Sequence, residues 1–193
     1  RAAPHPVPRH ASALQRFRRE AKMLMDLDDP NIVKCYHAGE SDRFVYLALE
    51  FLPGGNLQEL LDKRTTLTVP QAVGVTRRVL EGLGAVHRHG IYHRDLKPSN
   101  VLLDGQSRPK LADFGLARSA MNSRITSTGE VLGTVDYMAP EQFESVKKID
   151  GRADLYSVGA MLYHLVTGKP PYKGRSSFAV LEQHRDAPCP DPA

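Results

Sequence analysis

Cysteine is scarce in this chain, with only Cys35 and Cys189 among 193 residues. Two cysteines cannot build the disulfide framework of a small secreted domain, so a reducing, cytoplasmic setting is expected. Long apolar runs are missing as well. No stretch approaches the ~20 residues that a membrane-spanning helix needs, and no secretory leader pattern is present. An anchor outside these residues is compatible with that reading. A basic face is also lacking. The net charge is +4, but Lys and Arg are dispersed, and only Arg16, Arg18 and Arg19 cluster. Without interleaved aromatics this gives no nucleic-acid surface. Nothing repeats at the spacing of a solenoid. The 41% of hydrophobic residues is enough for one sizeable core.

The pattern along the chain is helix-rich, with a few short strands early. Residues 1–11 carry Pro4, Pro6 and Pro8 and show no strand pattern, so an extended or frayed lead-in is expected. Ser12-Ala13-Leu14-Gln15 fits a capping box, and Leu14, Phe17, Ala21, Leu24 and Met25 recur at helical spacing up to Asp29-Pro30. Ile32–His37 and Phe44–Phe51 read as two strands around a Gly-Glu-Ser-Asp turn. A second capping box, Thr68-Val69-Pro70-Gln71, opens a long helix with Val73, Val75, Val79, Leu80, Leu83 and Val86. Short strands are expected near Val101–Leu103 and Lys110–Ala112, and a polar loop over Leu116–Thr134. Asp154–Thr167 reads as an apolar helix containing Leu155 and stopped by Gly168, and Ser176–His184 as a last short one.

The chemistry lies in His93-Arg94-Asp95-Leu96-Lys97-Pro98-Ser99-Asn100, followed thirteen residues later by Asp113-Phe114-Gly115. Phosphoryl transfer needs a carboxylate beside the acceptor hydroxyl, a cation on the moving phosphate, and two oxygen ligands for hard metal ions. This string offers all four. Asp, Lys and Asn are each common in loops, but eight consecutive matches with an Asp-Phe-Gly after a strand are not a loop's composition.

These residues resemble the protein kinases, and Lys97 resembles the serine/threonine branch. The likeness runs from about Ala13 to His184. It implies an α+β, two-lobed protein-kinase-like fold, with an incomplete small lobe over residues 1–52 and a mainly α-helical large lobe over residues 53–193. The stretch then reads as a kinase domain truncated at both ends. It implies ATP and Mg²⁺ as cofactors and Ser/Thr hydroxyls of proteins as acceptors. Asp95 would orient the hydroxyl and take its proton, and Lys97 would face the γ-phosphate. Asn100 and Asp113 would hold the metal. Phe114 would pack beneath the small-lobe helix, and Gly115 would let the chain turn into the loop. Glu50-Phe51-Leu52 would be the adenine hinge through backbone groups, after Leu49 at the gatekeeper position, with Leu102 supporting the ring.

Further positions follow from the same likeness. Glu20 matches the helix Glu that pairs with a strand lysine, and that lysine is not in this sequence. Lys22 lies on another face of the same helix, so Glu20 is expected to be unpaired or paired with a neighbour such as Arg16. Gly133 to Glu141 matches the segment that closes the activation loop. There Thr134 would bridge Asp95 and Lys97, and Glu141 would seek an Arg beyond Ala193. Asp154 would brace the catalytic-loop backbone, or simply favour the helix dipole. Arg94 before Asp95 implies control by loop phosphorylation, with Thr126 and Thr128 as candidates docking on Arg94 and Arg118. His184-Arg185-Asp186 repeats three letters of the motif without its Lys or Asn, a coincidence. The wording Tyr-Met-Ala-Pro-Glu-Gln is similar to bacterial kinases.

No glycine-rich phosphate loop occurs in these residues. This stretch alone is therefore expected to be a poor catalyst. A non-catalytic pseudokinase or scaffold is the alternative. Against it, Asp95, Lys97, Asn100 and Asp113 are all intact.

Overall fold

A computed structural model describes residues 2–6, 11–41, 44–114, 135–144 and 149–192, with side chains from Leu14 onward except those of Arg16 and Glu144. A three-stranded antiparallel sheet is built from β1 (Ala2–Pro6), β2 (Cys35–Glu40) and β3 (Phe44–Leu49), in the order β1-β3-β2. β3 lies at the centre, paired on both sides, and its residues alternate. Val45 and Leu47 are buried, while Phe44 on the other face is exposed. Helix α1 (Ala11–Asp26) packs against β2 and buries Phe17, Ala21 and Leu24, which share one stripe.

Several expectations near the start need correction. Residues 2–6 form a strand, in register with Phe44–Ala48. Pro4 and Pro6 are two apart, so both nitrogens turn to the same side, and an edge strand leaves one side unpaired. Helix α1 begins at Ala11, ahead of the expected Ser12 cap. The strand expected from Ile32 starts instead at Cys35, as β2. Ile32 instead bridges Leu111 in parallel fashion, with Val33 N donating to Leu111 O at 2.9 Å and Leu111 N to Asn31 O at 2.8 Å. Tyr36 is bulged out between Cys35 and His37 and is 67% exposed.

The helical part follows. Helix α2 (Leu57–Arg64), absent from the sequence reading, is capped by Asn56, whose Oδ1 accepts from Glu59 N at 2.9 Å. Helix α3 (Val69–His87) starts as expected, with Thr68 N donating to Gln71 Oε1 at 3.1 Å. A single 3-10 turn, Pro98–Asn100, leads into β4 (Val101–Leu103), which pairs antiparallel with β5 (Pro109–Leu111). A short helix α4 (Glu141–Glu144), also unforeseen, precedes α5 (Gly151–Thr167) and α6 (Ser177–Asp186). Helix α5 starts before Asp154 because Asp150 is its cap, accepting from Arg152 N at 2.9 Å. Gly168 ends it at φ 77°, a left-handed position that glycine adopts without strain.

Leu57, Leu83, Val86, Leu96, Val101, Met161 and Leu165 form the heart of one core, which also takes in Phe17, Ala21 and Leu24 of α1. A smaller cluster joins Val135, Met138, Tyr172, Val180 and Leu181. Val73, Leu80 and Leu155, apolar positions of the helical pattern, stay exposed, so the stripe on α3 is wider than the face it buries. Cys35 is buried and Cys189 exposed, and they form no disulfide. Among the described residues no helix is long and apolar enough to cross a membrane.

Candidate active site

The loop between α3 and the 3-10 turn is held from below by one carboxylate. Asp154 is 1% exposed. Its Oδ2 accepts from His93 N at 2.8 Å and its Oδ1 from Arg94 N at 2.7 Å. The same Oδ2 takes a ring N–H of His87 at 2.8 Å. A buried carboxylate is tolerable only when its lone pairs are used in this way. Asp154 thus lies where a brace of the loop backbone was expected.

His93 forms the next layer. It is fully buried, and its Nε2 lies 2.9 Å from Ala112 O. A carbonyl can only accept, so Nε2 carries the hydrogen and Nδ1 is left to accept from Asp95 N at 3.4 Å. Burial pushes the imidazole's pKa down, against the pull of Asp154 and Asp95, so the ring is neutral at pH 7. Its ring also meets that of Phe114 at 5.0 Å. His93 therefore ties the Asp95 loop to the strand end that delivers Asp113, a role the sequence reading left unassigned.

Asp95, Lys97 and Asn100 come together. Lys97 Nζ is 3.4 Å from Asp95 Oδ2. Asn100 Nδ2 donates to Asp95 O at 2.8 Å and to Asp95 Oδ2 at 3.3 Å. That fixes the amide and turns Asn100 Oδ1 away from Asp95. Ala112 N donates to Asn100 O at 2.9 Å, which sets Asn100 beside the residue before Asp113. Asp113 has φ 54° and Arg94 φ 61°, both left-handed and costly for residues with a Cβ. Among the described residues no group of three or more His, Cys, Asp or Glu is arranged to hold a metal ion by itself. One amide oxygen and one carboxylate fit Mg²⁺, a hard ion that keeps waters and takes phosphate oxygens rather than a full protein cage.

At the expected hinge, Glu50 N donates to Lys34 O at 2.8 Å, and Phe51 is 71% exposed. Leu52 and Leu102 are half-buried. Gly54 lies against β4, donating to Leu103 O at 2.9 Å; a Cβ there would come 2.6 Å from two backbone oxygens, so only glycine fits. Phe114 shares the core with Phe17 and Ala21 of α1. Glu20 on α1 is half-buried and is not without a partner, which removes the unpaired reading. Glu141 is half-buried and makes no ion pair among the described residues. Gly115, Arg118, Thr126, Thr128 and Thr134 lie outside the described residues.

The residues matched by the protein kinase domain family run from 6 to 188. The chain belongs to the protein kinase family. It is 43% identical over 177 residues to the serine/threonine-protein kinase PknL of Mycobacterium tuberculosis, covering 92% of this chain and 44% of that protein. It is 36% identical over 180 residues to the serine/threonine-protein kinase PrkC of Bacillus subtilis, covering 92% and 27%. It is 39% identical over 183 residues to the probable serine/threonine-protein kinase PknB of Corynebacterium glutamicum, covering 91% and 28%. The chain thus spans less than half the length of these kinases. Its α+β fold, with few strands and a helical majority, is that of the family.

Two further side chains of this kinase domain escaped the sequence reading. Gln142 bridges Arg94 O and Ala139 N, and Ser157 Oγ donates to Tyr137 O at 2.7 Å. Both act across long sequence separations, which no local pattern signals.

Proposed function

We propose that this chain carries the catalytic centre of an ATP-dependent serine/threonine protein kinase, with residues 1–52 in its small lobe and residues 53–193 in its large lobe. The observation that supports this best is the convergence of Asp95, Lys97 and Asn100 within hydrogen-bond or ion-pair range, on a loop braced by buried Asp154.

Asp95 accepts the proton of the acceptor hydroxyl as its oxygen bonds to the terminal phosphorus. The bond from that phosphorus to the bridging oxygen breaks, and ADP departs with the electron pair. Lys97 is close enough to Asp95 to sit over the transferring group and offset its charge. Asn100 and Asp113 are the residues that would hold Mg²⁺. The ion, when bound, would neutralise phosphate charge and orient the phosphates. Positioning and electrostatics account for most of the rate in this chemistry, which suits a site so heavily braced.

The test uses the full-length protein with ATP, magnesium and a basic protein acceptor. The wild type should label Ser and Thr. Asp95→Asn should abolish labelling while a fluorescent nucleotide still binds, because Asn keeps the shape but cannot take the proton. Asp113→Asn should instead weaken magnesium-dependent nucleotide binding. A wild-type protein that binds nucleotide and transfers nothing would favour a scaffold.

A further inference from the structure

Arg94 carries a long side chain at φ 61°. A bulky residue keeps such a conformation only where its surroundings hold it from both sides. On one side, Arg94 N donates to Asp154 Oδ1 at 2.7 Å. On the other, Arg94 O accepts from Gln142 Nε2 at 3.0 Å. That carbonyl lies in the same peptide plane as the N–H of Asp95. Whatever fixes it also fixes the plane from which Asp95 departs.

Gln142 is suited to this. It is 4% exposed, and both ends of its amide are in use. Oε1 accepts from Ala139 N at 3.0 Å, and Gln142 N returns a bond to Ala139 O at 2.9 Å. One contact is a pure acceptor and the other a pure donor, so the amide has a single orientation. The side chain also lines a small pocket with Asp95, Leu96, Tyr137 and Met138.

We propose that Gln142 is a positioning residue for Asp95: it carries the register of the Ala139–Glu144 segment into the peptide plane between Arg94 and Asp95. The inference rests on the kinase reading of Asp95. Movement of that segment is thereby felt at the general base, with no contact to nucleotide. Loss of Gln142 lowers kcat and leaves KM for ATP unchanged.

Two variants of the full-length protein separate this from simple capping of α4. Gln142→Leu keeps the volume and loses both contacts. Gln142→Glu keeps the acceptor for Ala139 N but sets a carboxylate oxygen against Arg94 O. If Gln142 only caps α4, Gln142→Glu is near wild type. On the proposal, kcat falls about tenfold in both, the size of one lost hydrogen bond. In Gln142→Glu it recovers as pH falls, relative to wild type, because a protonated carboxyl can again donate to Arg94 O. Amide hydrogen exchange over residues 93–97 is read in parallel and needs no activity. Faster exchange in both variants supports the proposal even if the wild type transfers no phosphate, an outcome that would sink only the kinase reading. Unchanged kcat and exchange in Gln142→Leu overturn the proposal. So does a defect confined to KM for ATP, or loss of cooperative unfolding in Gln142→Glu, which would make Gln142 a strut for the fold.

Discussion

Lys110 Nζ lies 2.9 and 2.7 Å from the two carboxylate oxygens of Glu50, a residue 60 positions earlier. The same carboxylate accepts from Lys34 N at 3.2 Å. The side chain of Glu50 is therefore drawn towards β5, and only its backbone is left for the proposed hinge. The side chains are 16% and 24% exposed, so the pair is partly screened.

Lys110→Met should cost little stability, about 1 kcal/mol or less, as partly exposed ion pairs do. It should raise KM for ATP several-fold, because the hinge loses its tie to the strand leading to Asp113. Swapping the charges, Glu50→Lys with Lys110→Glu, should recover most of that loss. Urea denaturation and an ATP titration on the full-length protein check both parts. An unchanged KM in Lys110→Met, or a swap worse than either single change, would refute the tie.

Asp154 should behave differently, since it is buried and satisfies two backbone N–H groups and a histidine ring. Asp154→Ala leaves all three donors without their acceptor. Each orphaned buried group costs about 1–3 kcal/mol; the His87 ring is partly exposed and can turn to water, so the two backbone N–H groups set a loss of at least about 2 kcal/mol in urea unfolding. Asp154→Asn keeps one acceptor and should lose less. A loss below about 1 kcal/mol in the Ala variant would show that water reaches these groups.

The string proposed as catalytic was legible because phosphoryl transfer dictates residue type and spacing within a few positions. Asp95, Lys97 and Asn100 sit on one short loop, and the structure brings them together as that spacing implies. Helix α2 could have been found too: Asn56 and Glu59 form a local capping pair, with Asn56 Nδ2 donating to Glu59 Oε1 at 2.7 Å. Strand β1 was hidden because its prolines signal a break, whereas an edge strand tolerates them. Gln142 with Arg94, and Lys110 with Glu50, were not legible at all. They pair across 48 and 60 residues, and only the fold decides such partners.

Control of the proposed kinase should run through the Ser/Thr-rich segment after Phe114. Thr126 and Thr128 should be autophosphorylated and Thr134 should not. A phosphate adds roughly two negative charges and suits a docking guanidinium such as that of Arg94. On the kinase likeness Thr134 bridges Asp95 and Lys97, so the same charge there would oppose the general base. Thr126→Ala with Thr128→Ala should slow phosphorylation of an added substrate. Thr134→Ala should impair it without any phosphate being lost. Mass spectrometry of the active full-length protein decides: phosphate mainly on Thr134, with the other two bare, refutes the assignment.

Stability should fall on mild acidification, through three histidines. Burial lowers the pKa of His93, His164 and His184 alike. His93 faces Asp154 and Asp95, and His164 faces Asp136, Lys173 and Asp62. His184 is enclosed by Tyr156 and Tyr172. Burial keeps the phenols protonated, with Tyr156 pushed up to about 12. Each phenol can then donate to a neutral ring, Tyr137 to His164 Nδ1 at 2.6 Å and Tyr156 to His184 Nδ1 at 2.8 Å. It is burial that opposes a proton on either ring. The folded pKa lies below the unfolded value of about 6.5, so the unfolded chain binds more protons as pH drops. The stabilisation is complete above that value and is lost as pH falls below it. The urea midpoint should therefore drop between about pH 8 and pH 5.5. His164→Gln with His184→Gln should flatten the profile while lowering stability at the upper end. Asp136, whose pKa burial raises, acts in the opposite direction and can only blunt the slope. A flat wild-type profile, or one with the same slope in the double variant, would show that these rings are hydrated enough to charge in place.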